Sequence, residues 1–218
     1  MSPATSNALR TAFVLIVFTA VGTGLLAYTF DITKHNIAKN EEQAKRDLIN
    51  QALPKNLYDN DIVSDVVSVA PTPELGTTNA SHAYRGRLRG QPSALVLEAI
   101  APDGYSGKIF LLIAIQRDGQ IAGVRVVTHN ETPGLGDYID IAKSDWIKQF
   151  DHRSLAPSDA RAWKVKKDGG DFDYMTGATI TPRAVVKAVY KALRYYEQHG
   201  AALFAQPATA TATNKEAS

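Results

Sequence analysis

The chain has 218 residues, a formal net charge of +2 and no cysteine. This length suits one ordinary domain with additions, and 44% hydrophobic against 21% charged residues is typical of a globular protein. The mild charge, without a dense Lys/Arg run, argues against a nucleic-acid binder. The lack of cysteine excludes disulfides, thiolate metal sites, Cys-ligated iron–sulfur clusters and cysteine nucleophiles, so any redox chemistry must use a cofactor that needs no thiol.

Several other classes of site are also set aside by the sequence. The five histidines show no paired metal-ligand spacing, and neither a Walker loop nor a Gly-x-Ser-x-Gly nucleophile elbow occurs. The pair of glycines in residues 134–136 lacks the third glycine of a dinucleotide fingerprint. The sequence therefore predicts no metal site and no nucleotide-binding loop of these kinds.

The first predicted element is a membrane-spanning helix over residues 11–30, which contain no charged side chain. Twenty residues at about 1.5 Å each give about 30 Å, the thickness of one bilayer core. Arg10 and Asp31 flank the run, and Tyr28 and Phe30 are typical of the membrane interface. A cleaved signal peptide and a buried core helix are the alternatives, and the length favours a retained span.

The charges on the two sides of this run bear on its orientation. Only Arg10 precedes the run, whereas four basic residues follow within twenty positions: Lys34, Lys39, Lys45 and Arg46. The positive-inside rule therefore favours a cytoplasmic C-terminal domain, although long domains can cross the membrane against this bias.

The rest of the chain is predicted to be α+β, with packed helices around a mostly antiparallel sheet. Residues 36–53 read as a helix that Pro54 ends. Residues 144–150 are predicted to form a short helix capped by Ser144, and residues 163–167 another strand. Asp-Gly pairs between apolar, β-branched runs are typical of hairpins, so we expect a meander of three strands: residues 94–101, 108–116 and 120–128.

The last predicted helix has the clearest boundaries. Thr181 is the expected N-cap, Pro182 occupies the first helical position, and Gly200 ends the helix. The Ala/Thr-rich sequence beyond it predicts a disordered tail. The expected domains are a short N-terminal segment (1–10), the membrane span (11–30), a juxtamembrane helix with the start of the soluble domain (31–93), the main domain (94–200) and the tail (201–218).

The loop before this helix is the first candidate site. Residues 173–179 are mostly small or hydroxyl-bearing and lead directly to the helix start. Free N–H groups and the positive end of the helix dipole favour an anion there, and Gly177 can adopt a positive φ that lets a bulky group approach. An ordinary N-cap loop is the alternative, and the spacing alone favours it.

A second candidate loop covers residues 131–136, with the sequence Glu-Thr-Pro-Gly-Leu-Gly. Proline stiffens the loop, and two glycines expose backbone groups that can hydrogen-bond the edge of a flat polar ring. A Pro-Gly turn after a strand is the alternative. Trp146 follows ten residues later and is either a core aromatic residue or a wall of the same pocket.

Together these features resemble the G subunits of the Rnf (Rsx) ion-translocating electron transport complexes, a family related to the C subunit of the sodium-pumping NADH:quinone reductase. The single N-terminal span matches, and the resemblance covers about residues 8–200. Its most specific part is an Asp-x-x-Ser/Thr-Gly-Ala-Thr pattern. The residues that carry the resemblance are 104–107 (Gly-Tyr-Ser-Gly), 129–136 (His-Asn-Glu-Thr-Pro-Gly-Leu-Gly), Trp146 and 169–181.

The resemblance implies that FMN is joined by a phosphoester to Thr179, the last threonine of the pattern. Thr176 then occupies the Ser/Thr position, and Asp173 matches the acidic position read by a flavin transferase. The implied cofactor-binding residues are Thr176, Gly177, Ala178, Glu131, Thr132, Gly134, Leu135, Gly136 and Trp146. No residue is required as a catalytic acid, base or nucleophile in turnover, because the flavin carries the redox chemistry.

The implied function is that of a membrane-anchored flavoprotein that carries electrons within an ion-translocating ferredoxin/NAD electron transport complex. Residues 94–200 would form its FMN-binding domain. Its partners would be the other subunits of the complex, the flavin transferase and the membrane. The family places this domain on the periplasmic side of the bacterial inner membrane, against the charge bias, and we follow the resemblance. A membrane-tethered extracytoplasmic binding or sensor module without a redox cofactor is the alternative.

Overall fold

The structure is a computed structural model, and it describes residues 3–155 and 160–208. Its first element is one long helix, α1 (Pro3–Ala52). The two helices expected at residues 11–30 and 36–53 are therefore continuous, because neither proline nor glycine interrupts the chain between them. The chain divides into two compact units between Lys45 and Arg46, so the end of α1 belongs to the second unit.

The N-terminal unit contains the predicted membrane anchor. The stretch Leu9–Lys34 of α1 is long and apolar enough to cross a membrane, and none of its apolar window is buried inside the protein. The predicted span of residues 11–30 lies within this stretch. An unburied helix of this composition is stable when lipid surrounds its side chains.

We expect the full-length chain to stay in the membrane fraction after washes with high salt or alkaline carbonate. Both washes remove proteins held by charge, whereas an apolar span of this length is held by the lipid core. Deleting residues 1–30 is expected to give a soluble domain, since the remaining chain keeps its core. Release of the full-length chain by either wash, followed on an immunoblot, would contradict the span.

A five-stranded antiparallel sheet forms the centre of the second unit, with its strands in chain order. It confirms the predicted meander, and it adds two strands that the sequence pattern did not indicate, β1 and β2. The second hairpin turns at Tyr105 and Ser106, two residues later than the predicted Asp-Gly pair. The strands are β1 (Val66–Val69), β2 (Ser81–Leu88), β3 (Gln91–Gly104), β4 (Gly107–Gln116) and β5 (Ile121–Thr128).

The two faces of this sheet pack against different helices. Leu95 and Leu97 of β3 belong to the larger core, which also contains the buried face of the last helix. Val96 points to the other face and joins a smaller core with Ile49 of α1 and Leu53, the residue directly after α1. Side chains alternate across a strand, so β3 serves both cores.

The last helix, α2 (Ile180–Ala205), extends five residues beyond the end predicted at Gly200. Gly200 lies inside the helix, and a Cβ there would come within 2.9 Å of the Tyr196 ring, so this position is suited to glycine. Leu203 is buried, and Arg85 of β2 donates to the Leu203 carbonyl oxygen at 3.2 Å. A cation on the last carbonyl groups stabilises a helix C-terminus. Of the predicted tail, residues 209–218 lie outside the described residues.

Between β5 and α2, the described residues (129–155 and 160–179) include three short 3-10 helices: Asp137–Ile139, Asp145–Phe150 and Lys166–Asp168. The second confirms the predicted short helix, with the Ser144 side chain accepting from the Trp146 backbone N–H. The prediction of a strand at residues 163–167 is wrong. Only a single bridge joins Val165 to Phe172, since the chain folds back at Gly170, directly against the Lys164 backbone.

Candidate functional site

The N-terminus of α2 differs from the prediction in which threonine caps it. Thr179 occupies the N-cap position, and among the described residues its side chain makes no capping hydrogen bond. Thr181, the predicted N-cap, lies inside the first turn and is fully buried, and its hydroxyl donates to the Glu131 carboxylate. Pro182 is consequently the third helical residue. The half-buried Thr179 hydroxyl is therefore the one left available at the start of the helix.

The loop that leads into α2 is a tight turn. The Ala178 N–H donates to the Met175 carbonyl oxygen at 3.0 Å, and Gly177 adopts φ +91°, which strongly favours glycine. The Met175 N–H donates to the Tyr138 hydroxyl at 3.3 Å. Burial raises the pKa of Tyr138, so this phenol stays neutral near pH 7.

The second candidate loop lies against the first. The Gly136 N–H donates to the Thr132 carbonyl oxygen at 2.9 Å, and the Gly134 N–H donates to Asp137 Oδ1 at 2.8 Å. The Leu135 side chain comes within 3.7 Å of the Cβ position of Gly177. The structure thus brings together the two loops that the sequence analysis singled out separately.

Glu131 joins these loops to the sheet. Its carboxylate is buried, with one oxygen accepting from Thr181 and the other accepting from the Ser106 N–H at 2.9 Å. Cβ atoms at Gly104 and Gly136 would come within 2.9 Å and 3.0 Å of its oxygens. Both carboxylate oxygens have protein partners, which supports a role in holding the site together rather than direct contact with a cofactor.

Trp146 is also an internal residue of the site. Its side chain is 8% exposed, packs edge-on against Tyr138 with ring centroids 5.5 Å apart, and donates from Nε1 to the Asp173 carbonyl oxygen at 2.8 Å. Gln149, which the sequence analysis did not identify, accepts from the Asp173 N–H at 2.9 Å. No signal in the sequence marks Gln149, because it is an ordinary polar residue of a short helix.

The outer surface of the two loops is apolar. Four large side chains here are at least 36% exposed: Leu135, Tyr174, Met175 and Ile180. Gly134 has φ +73°, and within the described part of the chain no residue beyond its two neighbours comes within 4 Å of its Cβ position. An apolar surface beside open backbone, next to a helix start with free N–H groups, fits a flat aromatic ring that carries a phosphate.

The nearest cation of α2 is already paired. Arg183 donates to both carboxylate oxygens of Asp168 at 2.5 Å. This bidentate pair occupies two of the five guanidinium N–H groups and directs Arg183 towards Asp168, while the backbone N–H groups at the helix start face an anion at Thr179 by their position. Within residues 3–155 and 160–208, no cluster of three side chains suited to a metal ion occurs.

Comparison with known families and proteins gives matches over most of the chain. The FMN-binding domain family matches residues 104–194, which include both loops, and the RnfG N-terminal region matches residues 1–52. A Vibrio atlanticus protein, the G subunit of an ion-translocating oxidoreductase complex, is 48% identical over 91% of this chain and 94% of its own length.

Proteins of the same name from two other genera are similarly close. The Pseudomonas aeruginosa protein is 48% identical over 90% of this chain and 92% of its own length. The Shewanella oneidensis protein is 42% identical over 91% of this chain and 94% of its own length. Since these matches extend over nearly the full length of both partners, the chain belongs to the family of G subunits of ion-translocating oxidoreductase complexes.

Proposed function

We propose that this chain is a membrane-anchored flavoprotein subunit that carries electrons through FMN bound covalently at Thr179. The observation that carries the proposal is the Thr179 hydroxyl itself. It lies at the N-cap of α2 without a capping bond among the described residues, within a chain that matches the FMN-binding domain family. The complex would couple electron transfer between ferredoxin and NAD to ion movement.

Attachment requires an activated donor, because free FMN carries only a phosphate monoester. A flavin dinucleotide supplies such a donor. The Thr179 oxygen forms a new P–O bond to the flavin-bearing phosphorus, and the pyrophosphate P–O bond breaks. The nucleoside monophosphate leaves with the electrons of that bond, and the hydroxyl proton passes to a base of the flavin transferase. No oxidation or reduction occurs in this step.

The residues of the site then hold and orient the product. The phosphodiester stays anionic, and the N–H groups of the first turn of α2 stabilise it. Leu135, Met175 and Ile180 offer an apolar surface to one face of the ring, and the open backbone at Gly134 can approach its polar edge. Bound flavin supplies the capacity to accept and release one or two electrons. The protein therefore needs to position the ring and to tune its potential.

The direct test is flavin fluorescence after denaturing electrophoresis of the full-length chain, produced together with its flavin transferase. A fluorescent band at the mass of the chain is expected, since a phosphoester survives denaturation and a non-covalent flavin does not. A dark band from protein that remains in the membrane would instead favour the binding or sensor module without a redox group.

We further propose that the domain lies on the periplasmic side of the bacterial inner membrane. A covalent link prevents loss of FMN in a compartment that has no cofactor supply, whereas a cytoplasmic domain gains less from it. The proposed partners are the other subunits of the complex and the flavin transferase. Reporter fusions at the C-terminus test the orientation, and an active cytoplasmic reporter would show that the charge bias was the better guide.

Gly134→Val is expected to change the flavin absorption spectrum or reduction potential while covalent attachment persists. The new side chain would occupy the open surface where we place the ring, and attachment uses a different loop. Spectra and redox titration of the purified protein measure the effect.

The matched control is Gly90→Val in the turn between β2 and β3. Gly90 also has a positive φ, +75°, and open space at its Cβ position, so both substitutions carry the same backbone strain of about 1–2 kcal/mol. Gly90 precedes the first residue of β3, whereas the site lies near the last. If Gly134→Val and Gly90→Val have the same flavin spectrum and reduction potential, the 131–136 loop is a structural turn and does not contact the flavin.

A further inference from the structure

The short helix Asp145–Phe150 holds Asp173 by both of its backbone groups. Trp146 Nε1 donates to the Asp173 carbonyl oxygen at 2.8 Å, and the Asp173 N–H donates to Gln149 Oε1 at 2.9 Å. The two side chains are three residues apart, and in a 3-10 helix that spacing places them on the same side. We call this pair of contacts the Asp173 clamp.

The helix that carries the clamp is itself firmly fixed. Ser144 Oγ accepts from the Trp146 backbone N–H at 3.1 Å and donates to the Tyr138 carbonyl oxygen at 2.7 Å. The Trp146 ring lies edge-on between Tyr138 and Phe150, with centroids 5.5 Å and 5.6 Å away. Close packing of this kind restricts the side chain to one rotamer. The clamp is thus part of the packed interior rather than a surface contact.

The Asp173 side chain, in contrast, points to solvent. Its carboxylate pairs with Lys166 at 2.5 Å, and both side chains are more than half exposed. An exposed ion pair of this kind is weak, because water screens it and two flexible side chains must be ordered. A partner protein can therefore replace Lys166 at little cost. The backbone of Asp173 is held while its carboxylate remains accessible.

We infer that Trp146 and Gln149 are positioning residues for flavin attachment, which hold Asp173 where the flavin transferase can bind it together with Thr179. The inference rests on the proposed function. It also rests on the transferase-recognition role of Asp173 that the family resemblance implies. A transferase that binds Asp173 and acts on a hydroxyl six residues later must find both groups in one arrangement. Holding the Asp173 backbone in advance lowers the conformational entropy lost when that complex forms.

The test uses the full-length chain in detergent, purified flavin transferase and flavin dinucleotide, with in-gel flavin fluorescence as the readout. The concentration of the acceptor chain is varied so that KM and kcat are separated. Gln149→Met, which keeps the length of the side chain but removes the acceptor, is expected to raise KM for the acceptor chain about threefold to tenfold. The kcat should change less than twofold, because Thr179 is untouched.

Two further variants separate positioning from general damage. Gln149→Glu restores an acceptor oxygen and is expected to return KM to within about twofold of the wild-type value. Lys148→Met changes the neighbouring side chain, which pairs with Asp145 rather than with Asp173, and should leave KM unchanged. Trp146→Phe keeps an aromatic ring but removes the N–H, and it should raise KM as Gln149→Met does.

The outcomes distinguish this inference from the function on which it depends. If the wild-type chain takes no flavin, the proposed function fails and the inference fails with it. If the wild-type chain is labelled and both clamp variants show an unchanged or lower KM, only the inference is overturned. If Gln149→Glu is as impaired as Gln149→Met, the acceptor oxygen is not the cause, and the inference is again overturned.

Discussion

Thr179→Ala is expected to abolish covalent FMN while leaving the fold intact. The change removes one half-buried hydroxyl that makes no capping bond among the described residues, so the free energy of unfolding should change by no more than about 0.5 kcal/mol. Without that oxygen, no phosphoester can form at this position. Electron transfer through the subunit should be lost with the flavin, and not through unfolding.

Mass spectrometry of the peptide that contains residues 173–181 measures this result directly. The wild-type peptide should carry the added mass of the FMN phosphoester on Thr179. Thr179→Ser is expected to retain part of the label, because the nucleophilic oxygen remains. Thr78→Ala serves as the control, since its side chain is exposed and lies outside both site loops, and this variant should keep the full label. Added mass on Thr176 or Thr181, or none in protein made with its transferase, would refute the assignment.

The structure strengthens the choice among the three hydroxyls in a way that the sequence could not. Thr181 is buried, and its hydroxyl is bound to Glu131, so it is neither accessible nor free to react. From the sequence alone, Thr181 before Pro182 has the usual pattern of an N-cap, and the pattern contains no information on Glu131, fifty residues earlier. The local rule for N-caps selected the wrong threonine here, because the buried Glu131 carboxylate accepts a hydrogen bond from the Thr181 hydroxyl.

Two other predictions from the sequence were wrong for the same kind of reason. Gly200 follows the rule for helix ends, yet the helix continues to Ala205, where Leu203 is buried and Arg85 donates to its carbonyl oxygen. Residues 163–167 have the composition of a strand, yet the return of Gly170 against the Lys164 backbone limits pairing to one bridge. In each case a tertiary contact overrides a local preference.

The correct predictions rest on signals that are strong in the sequence itself. Asp-Gly pairs between β-branched runs indicated the β3–β4–β5 meander, and a long uncharged run indicated an apolar helix long enough to cross a membrane. β1 is only four residues long, so it offers little alternation to detect. The two site loops were found by composition, but their contact through Leu135 and Gly177 depends on the fold.

Thr181→Val is expected to lower the free energy of unfolding of the second unit by about 2–3 kcal/mol. Valine has nearly the same shape as threonine, so packing is kept, but Glu131 loses a donor inside the protein. Hydrogen bonds to charged groups contribute about 1.5–3 kcal/mol, and a buried acceptor without its partner carries a desolvation penalty. Since Glu131 also accepts from Ser106, the substitution weakens the junction between α2, the 131–136 loop and the β3–β4 turn.

Urea unfolding followed by tryptophan fluorescence measures this effect in the full-length chain. Both tryptophans, Trp146 and Trp163, are buried in the larger core, so the signal reports on the second unit and not on the membrane helix. Thr181→Ser keeps the hydroxyl and should recover most of the loss, and Thr176→Val tests the same change at an exposed position. In a Glu131→Gln background, Thr181→Val should cost about 1 kcal/mol less, because the acceptor is then uncharged. A loss below about 0.5 kcal/mol for Thr181→Val would show that the Glu131 carboxylate does not hold the start of α2.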